Sequence, residues 1–182
     1  MKFKKVCLFG FSQLFLEIEI ICKKYGLDLF ILCGERQLLS INQLGLKISD
    51  KKIFILNSLD GNVLQNIIGN NSQIIGISFG SPFIFNQDNI NFFSGNLINQ
   101  HGAPLPEFKG GGGFSWRILQ GDKRGSSLMH YVSTQIDEGD IVFKKDFNFD
   151  ESEILPVDYE NRQKKEDQKN ILPWLQSILN GS

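Results

Sequence analysis

Apolar and polar positions change period several times along this 182-residue chain. Lys5–Phe9 is a short apolar run followed by Gly10, the pattern of a strand buried on both faces. Leu14, Phe15, Ile18, Ile21, Cys22 and Tyr25 then recur at helical spacing. Ser12 stands where a cap is needed, Lys23 and Lys24 fall in the last turn, and Gly26 stops the helix. Leu27–Cys33 is a second apolar run and Ile53–Leu56 a third. Val63, Leu64, Ile67 and Ile68 predict a short helix ending at Gly69, and Gln73–Ser78 and Leu97–Asn99 read as further strands.

Strands that alternate with helices predict an α/β fold: a Rossmann-like, mostly parallel, twisted sheet with helices on both faces. Ligands of such sheets collect at the carboxyl ends of the strands, and Asn99 closes one strand. The segment "FGFSQLF" after the first strand carries one glycine and no GxGxxG, which argues against a nicotinamide or flavin site. Beyond Asn99 the pattern changes. "FKGGGGFSWRILQGD" is a glycine loop leading into a short helix near Phe114, with Trp116 expected in the core. Ser127–Ser133 and Ile141–Phe149 alternate like two half-buried strands and flank "TQIDEGD", so Asp137 falls in the loop between them. Residues 150–170 read as a charged surface excursion, with Lys164–Lys169 solvated. Pro173 then opens a last helix at its first position, docked through Trp174, Leu175, Ile178 and Leu179. With no repeat and no long linker, residues 1–182 are expected to form a single domain.

Composition narrows the function classes. A formal net charge of −1 advertises neither a nucleic-acid partner nor a membrane surface. Cys7, Cys22 and Cys33 lie in separate apolar stretches without a CxxC pair, which predicts buried free thiols and a reducing, cytoplasmic setting. The basic-then-apolar start "MKFKKVCLFGF" lacks a long apolar region and a cleavage site, so it reads as a first strand. No His, Cys or Asp cluster has metal spacing, and no serine-based triad is evident, so no metal is expected.

The candidate chemistry sits in "LINQHGAPLP" and, some thirty-five residues on, "IDEGDI". Acyl transfer to an amine builds negative charge on a carbonyl oxygen and removes a proton from the incoming nitrogen. An amide donor and an imidazole can stabilise the oxygen, and a carboxylate can take the proton, directly or through a water. Asn99, His101 and Asp137 supply those three group types. His130, between Leu128 and Val132 on one strand face, reads as structural or as a support to the site.

"NQHGAPLPEFKG", then Trp116, "LQGD", His130 and "IDEGDI", resembles the folate-dependent formyltransferase family. That family carries Asn-x-His, a loop ending in Leu-Pro, an aromatic–basic–Gly element and Asp-x-Gly-x-Ile. Here these are Asn99 and His101, Leu105–Pro106, Phe108–Lys109–Gly110, and Asp137–Gly139–Ile141. The similarity is clearest over residues 73–149. It implies transfer of a formyl group from N10-formyltetrahydrofolate to an amine. Asn99 would orient the formyl oxygen, His101 would stabilise charge on it, and Asp137 would help deprotonate the amine. It further implies a pterin pocket shaped by Gly80 and Pro82, walled by Phe83 and Ile84, and contacted by Gln135, Ile136 and Asp140. Lys109, Gly110 and Gly111 become candidates for the acceptor side.

The resemblance also bears on the acceptor. Family members that act on initiator tRNA carry an added carboxy-terminal domain and a basic surface, neither expected here. Those that act on glycinamide ribonucleotide carry a Gly-Ser-Asn phosphate loop where this chain has "GFSQLF". "GGGGFSW" and "LMHYV" look closer to enzymes that formylate nucleotide-linked amino sugars for surface polysaccharides, which adds a homodimer to the expectations. A glycinamide ribonucleotide enzyme, a hydrolase releasing formate, and a non-catalytic folate-binding relative are the alternatives.

Overall fold

The structure is a computed structural model, and it describes residues 2–43, 52–111 and 113–181. Seven strands form one sheet: β1 (Lys5–Gly10), β2 (Asp28–Cys33), β3 (Lys52–Ile55), β4 (Ile74–Phe79), β5 (Leu97–His101), β6 (Arg124–Tyr131) and β7 (Ile141–Asn148). Their spatial order is β3-β2-β1-β4-β5-β6-β7. The pairings among β3, β2, β1, β4 and β5 are parallel, whereas β5–β6 and β6–β7 are antiparallel. This is the mostly parallel α/β sheet that the alternating pattern predicts.

Alternation along the strands sorts the core into two layers. Val6 and Leu8 of β1, Ile75 and Ile77 of β4, Ile98 of β5 and Met129 of β6 pack under helices α1 (Phe15–Tyr25) and α6 (Pro156–Asn180). Cys7, Phe9, Phe30, Leu32 and Leu97 face the other way, against Leu64 and Ile68 of α3 (Gly61–Ile68) and Phe92 of α4 (Gln87–Phe92). Each such side chain, once fully buried, contributes about 1.5–3 kcal/mol of transfer free energy. The three thiols lie inside these layers, where burial pushes all of them up, Cys22 to about 12.

Local signals explain the element ends. Ser12 Oγ accepts from the Leu14 amide at 3.2 Å just ahead of α1, and Gly26 ends that helix at φ 64°. Asp60 caps α3 through the Val63 amide at 2.8 Å, and Asn86 and Asn89 cap α4 reciprocally. Helices α2 (Glu35–Gln43) and α4 are short and polar, and the apolar pattern does not announce them.

Five expectations need correction. Residues 150–170 are no excursion, and Pro173 does not open the last helix. A single 25-residue helix, α6, begins with Pro156 in its first turn and carries Pro173 in its interior, at an exposed position. Its buried positions are Tyr159, Gln163, Asp167, Ile171, Leu175 and Leu179, spaced four apart. The first half of that stripe is polar, so apolar periodicity appears only from Ile171 on. For the same reason Lys164–Lys169 is not wholly solvated, because Asp167 within it is buried. Trp116 is 65% exposed, and the residue α5 (Gly113–Leu119) buries is Arg117. Strand β7 lies at the sheet edge and is largely exposed, less buried than its alternation suggests.

Candidate active site

Strand alternation puts Leu97, Asn99 and His101 of β5 on one face and Ile98 and Gln100 on the other. Antiparallel pairing then sets His130 of β6 directly opposite Asn99. Parallel pairing on the other side sets Ser78 beside Asn99. An amide, an imidazole and a hydroxyl thus share one face at the carboxyl ends of β4 and β5.

The loop between β6 and β7 brings in Asp137. Its backbone lies at φ 52°, a left-handed conformation that Asp tolerates better than most residues. Its carboxylate is held from three sides. Oδ2 accepts from the Gly110 amide at 2.8 Å and stands 3.5 Å from His101 Nδ1, and Oδ1 stands 3.3 Å from His130 Nε2. The Gly110 contact ties the glycine loop after β5 to the acid, a close approach of backbone that the glycine, at φ 82°, permits.

The two imidazoles are held differently. His101 Nε2 lies 2.6 Å from the Phe108 carbonyl, so it donates there, while Nδ1 faces Asp137. Both ring nitrogens therefore face oxygen acceptors. The 3.5 Å separation is longer than a good N–H···O bond, which leaves that edge of the ring available to a ligand oxygen. His130 is 2% exposed. Its Nδ1 donates to the Tyr131 carbonyl at 2.8 Å, and its Nε2 lies 3.2 Å from Asn99 Nδ2. Burial lowers the His130 pKa, against the raising influence of the Tyr131 carbonyl and Asp137, and His101 lowers it further.

These groups stand on the wall of a cleft of about 450 Å³. Gly80, Phe83, Ile84 and Phe85 of the β4–α4 loop form one side, and Val132–Asp137 the other. Ile84 is 81% and Ile136 61% exposed, apolar surface that a flat ring would cover. Ser78 Oγ, buried in the lining of the same cleft, has no hydrogen-bond partner among the described residues. Apolar walls beside a few convergent polar groups suit a heteroaromatic ligand.

The structure brings Asn99, His101 and Asp137 together, and it places Gly80, Phe83, Ile84, Gln135, Ile136, Gly110 and Gly111 along the same cleft. Three expected contacts stand apart from that lining. Pro82 packs toward Gly34 after β2, the Asp140 carbonyl accepts from the Tyr131 amide at 2.9 Å, and Lys109 pairs with Glu138 at 2.7 Å. The sequence reads His130 only as structural or as a support to the site, and it does not single out Gln100. His130 enters the constellation only through the β5–β6 register. Gln100, on the opposite face, donates to Asp167 of α6 at 2.9 Å, and Gln163 donates to the other oxygen of Asp167 at 2.8 Å. No sequence period connects β5 with α6. Among the described residues, no group of His, Cys, Asp and Glu is placed to hold a metal ion, and no helix is long and apolar enough to cross a membrane.

A sequence model of the family described as Formyl transferase matches residues 82–174, about half of the chain. A methionyl-tRNA formyltransferase of Rickettsia canadensis (strain McKiel) is 27% identical over 107 residues, 59% of this chain and 31% of that protein. The match thus spans about a third of that relative's length. Among solved structures, phosphoribosylglycinamide formyltransferase from Bacillus halodurans superposes with a TM-score of 0.77 at 15% identity, covering 98% of this chain and 96% of that one. The sugar 3N-formyl transferase WlaRD, solved in the presence of dTDP and 5-N-formyl-THF, gives a TM-score of 0.68 at 22% identity, covering 100% of this chain and 65% of that one. At these identities the structural likeness establishes a shared fold.

Proposed function

The chain belongs to the formyl transferase family, and from that premise we propose that it moves a formyl group from N10-formyltetrahydrofolate to a primary amine, the amino group of a nucleotide-linked amino sugar. The observation that carries the reading is the meeting of Asn99, His101 and Asp137 on the wall of one cleft with apolar sides.

In this reading Asn99 donates to the formyl oxygen, and His101, bound through Nε2 to Phe108, stabilises the charge that the oxygen gains. Asp137 takes the proton of the attacking nitrogen, held for that task by the Gly110 amide. The carbon–nitrogen bond to the acceptor forms, the bond to N10 breaks, and the proton leaves with N10. Much of the rate comes from holding the two nitrogens on either side of one carbon. Phe83, Ile84 and Ile136 supply the apolar walls for the pterin, with the Ser78 hydroxyl free to bond it.

The surroundings of the β1–α1 turn favour the sugar acceptor over glycinamide ribonucleotide. The hollow there, about 100 Å³, is lined by Ser12, Gln13, Glu17, Lys164, Asp167 and Gln168. One lysine beside Glu17 is a poor receptor for a dianionic phosphate. The ribonucleotide reading keeps one specific support, the near-complete mutual coverage with the Bacillus halodurans enzyme.

The test is an incubation with N10-formyltetrahydrofolate, alone and with acceptors: dTDP- and UDP-linked amino sugars, glycinamide ribonucleotide, and methionyl-tRNA. Tetrahydrofolate released only with an amino sugar supports the proposal. Release without amine marks a hydrolase, release with another acceptor reassigns the substrate, and no release with any mixture rejects catalysis.

A further inference from the structure

His130 is the one member of the constellation that the reaction as described does not use. Its contacts determine its state. Nδ1 faces the Tyr131 carbonyl at 2.8 Å, so the proton of a neutral ring sits there. Nε2 then carries a lone pair, and two groups face it: the Asn99 amide at 3.2 Å and Asp137 Oδ1 at 3.3 Å. A lone pair attracts an N–H and repels a carboxylate. With the ring neutral, only the NH2 end of Asn99 can turn toward it.

We propose that His130 is a positioning residue that sets the orientation of the Asn99 carboxamide. The chain of contacts runs from the Tyr131 carbonyl through the imidazole to one N–H of Asn99, and it leaves the second N–H of that amide for the cleft. Without the lone pair, the amide can rotate half a turn at little cost and present its oxygen instead. An amide oxygen facing a formyl oxygen repels the charge it should stabilise. The inference rests on the formyl-transfer reading for its consequence, but not for its geometry.

The groups facing His130 also say when the arrangement fails. They are Asp137, from the β6–β7 loop, and His101 of β5, whose ring centroid is 6.4 Å away. Protonating His130 places an N–H on Nε2, which pairs with Asp137 Oδ1 and abandons Asn99. One proton thus removes the amide's orientation and occupies the base together. Burial and His101 oppose that protonation, so the functional state is the neutral ring.

The chain has two histidines, which makes the test direct. Nitrogen NMR of histidine-labelled protein near pH 7, with signals assigned by comparison with His130→Gln, should show His130 protonated at Nδ1 and bare at Nε2. A proton on Nε2 at that pH overturns the proposal, whether or not any formyl transfer has been measured. Kinetics supplies the second arm. His130→Gln keeps an acceptor for Asn99 that does not protonate near neutrality, and should retain kcat to within about tenfold, whereas His130→Leu should lose about 100-fold with little change in KM for the folate donor. Equal losses in the two variants overturn the positioning role. Absence of transfer in the wild-type protein rejects the functional reading alone, and the NMR result still decides the orientation.

Discussion

Gly139 lies so close to Tyr131 that a Cβ on it would be driven into the Tyr131 carbonyl oxygen. That carbonyl is the one His130 Nδ1 donates to, and the Tyr131 amide is bonded to Asp140. The loop carrying Asp137 is therefore pressed onto the strand carrying His130, and the glycine of the Asp-x-Gly pattern is a steric requirement. Gly139→Ala should lower stability by about 1–3 kcal/mol and reduce turnover more than stability suggests, because the loop must lift and carry Asp137 with it. Thermal melts alongside initial rates check this; an unchanged rate with native melting would show that the loop's seat is not needed.

Asp137→Asn should fold normally and lose turnover. The asparagine oxygen can still accept from Gly110, so the loop keeps its tie, but the side chain no longer binds a proton usefully. A loss of about 10²–10⁴ in kcat is expected. A variant with near-native kcat would remove Asp137 from the role of base.

Asp167 should make stability depend on pH in the direction opposite to most carboxylates. It is 8% exposed, and burial pushes it up to about 7, against the lowering influence of nearby Ser127 and of the hydrogen bond from Gln163, with Glu166 adding to the rise. A folded-state value above the unfolded one means that the folded protein holds a proton the unfolded chain has released. Stability from this group is thus greatest below about pH 4 and falls as pH rises toward about 7, by something on the order of 4 kcal/mol at most. Asp167→Asn lacks the titration, so denaturant melts at pH 5 and pH 8 should show the variant gaining on the wild type at the higher pH. Parallel pH dependences in the two proteins would contradict the assignment.

Arg117 is fully buried, and its Nε and Nη2 find no acceptor among the described residues. Its one hydrogen bond, to the Gly102 carbonyl, is 3.4 Å long. The guanidinium lies over Phe108, Phe149 and Tyr159 at 5.3, 5.4 and 5.8 Å, contacts each worth about 0.5–2 kcal/mol. Desolvating the charge costs several kcal/mol, and burial correspondingly lowers its pKa. The two effects nearly balance, and the unbonded nitrogens tip the sum against arginine. Arg117→Met should therefore match or exceed wild-type stability, whereas Arg117→Ala should lose about 3 kcal/mol or more through the cavity it leaves. A Met variant as unstable as the Ala variant would show that the cation–aromatic contacts dominate.

The sequence by itself determined the layer order and the chemical inventory of this protein. Apolar runs buried on both faces alternate with amphipathic helices, and local steric preference then leaves a mostly parallel sheet as the arrangement that covers them. Asn99, His101 and Asp137 were legible because Asn-x-His and Asp-x-Gly-x-Ile, in that order and at that interval, resemble the motifs of the formyltransferase family. Tertiary structure alone decided what depends on pairing between distant segments. The β5–β6 register, a matter of which residues oppose across two strands, turned His130 from a strand residue into Asn99's partner. The inward face of α6 is polar through Gln163 and Asp167 because Gln100 and the Ser126 carbonyl meet it there, so hydrophobic periodicity revealed only the last part of that helix. Arg117, and not Trp116, went inside because a cage of three rings from separate elements was waiting on that side of α5.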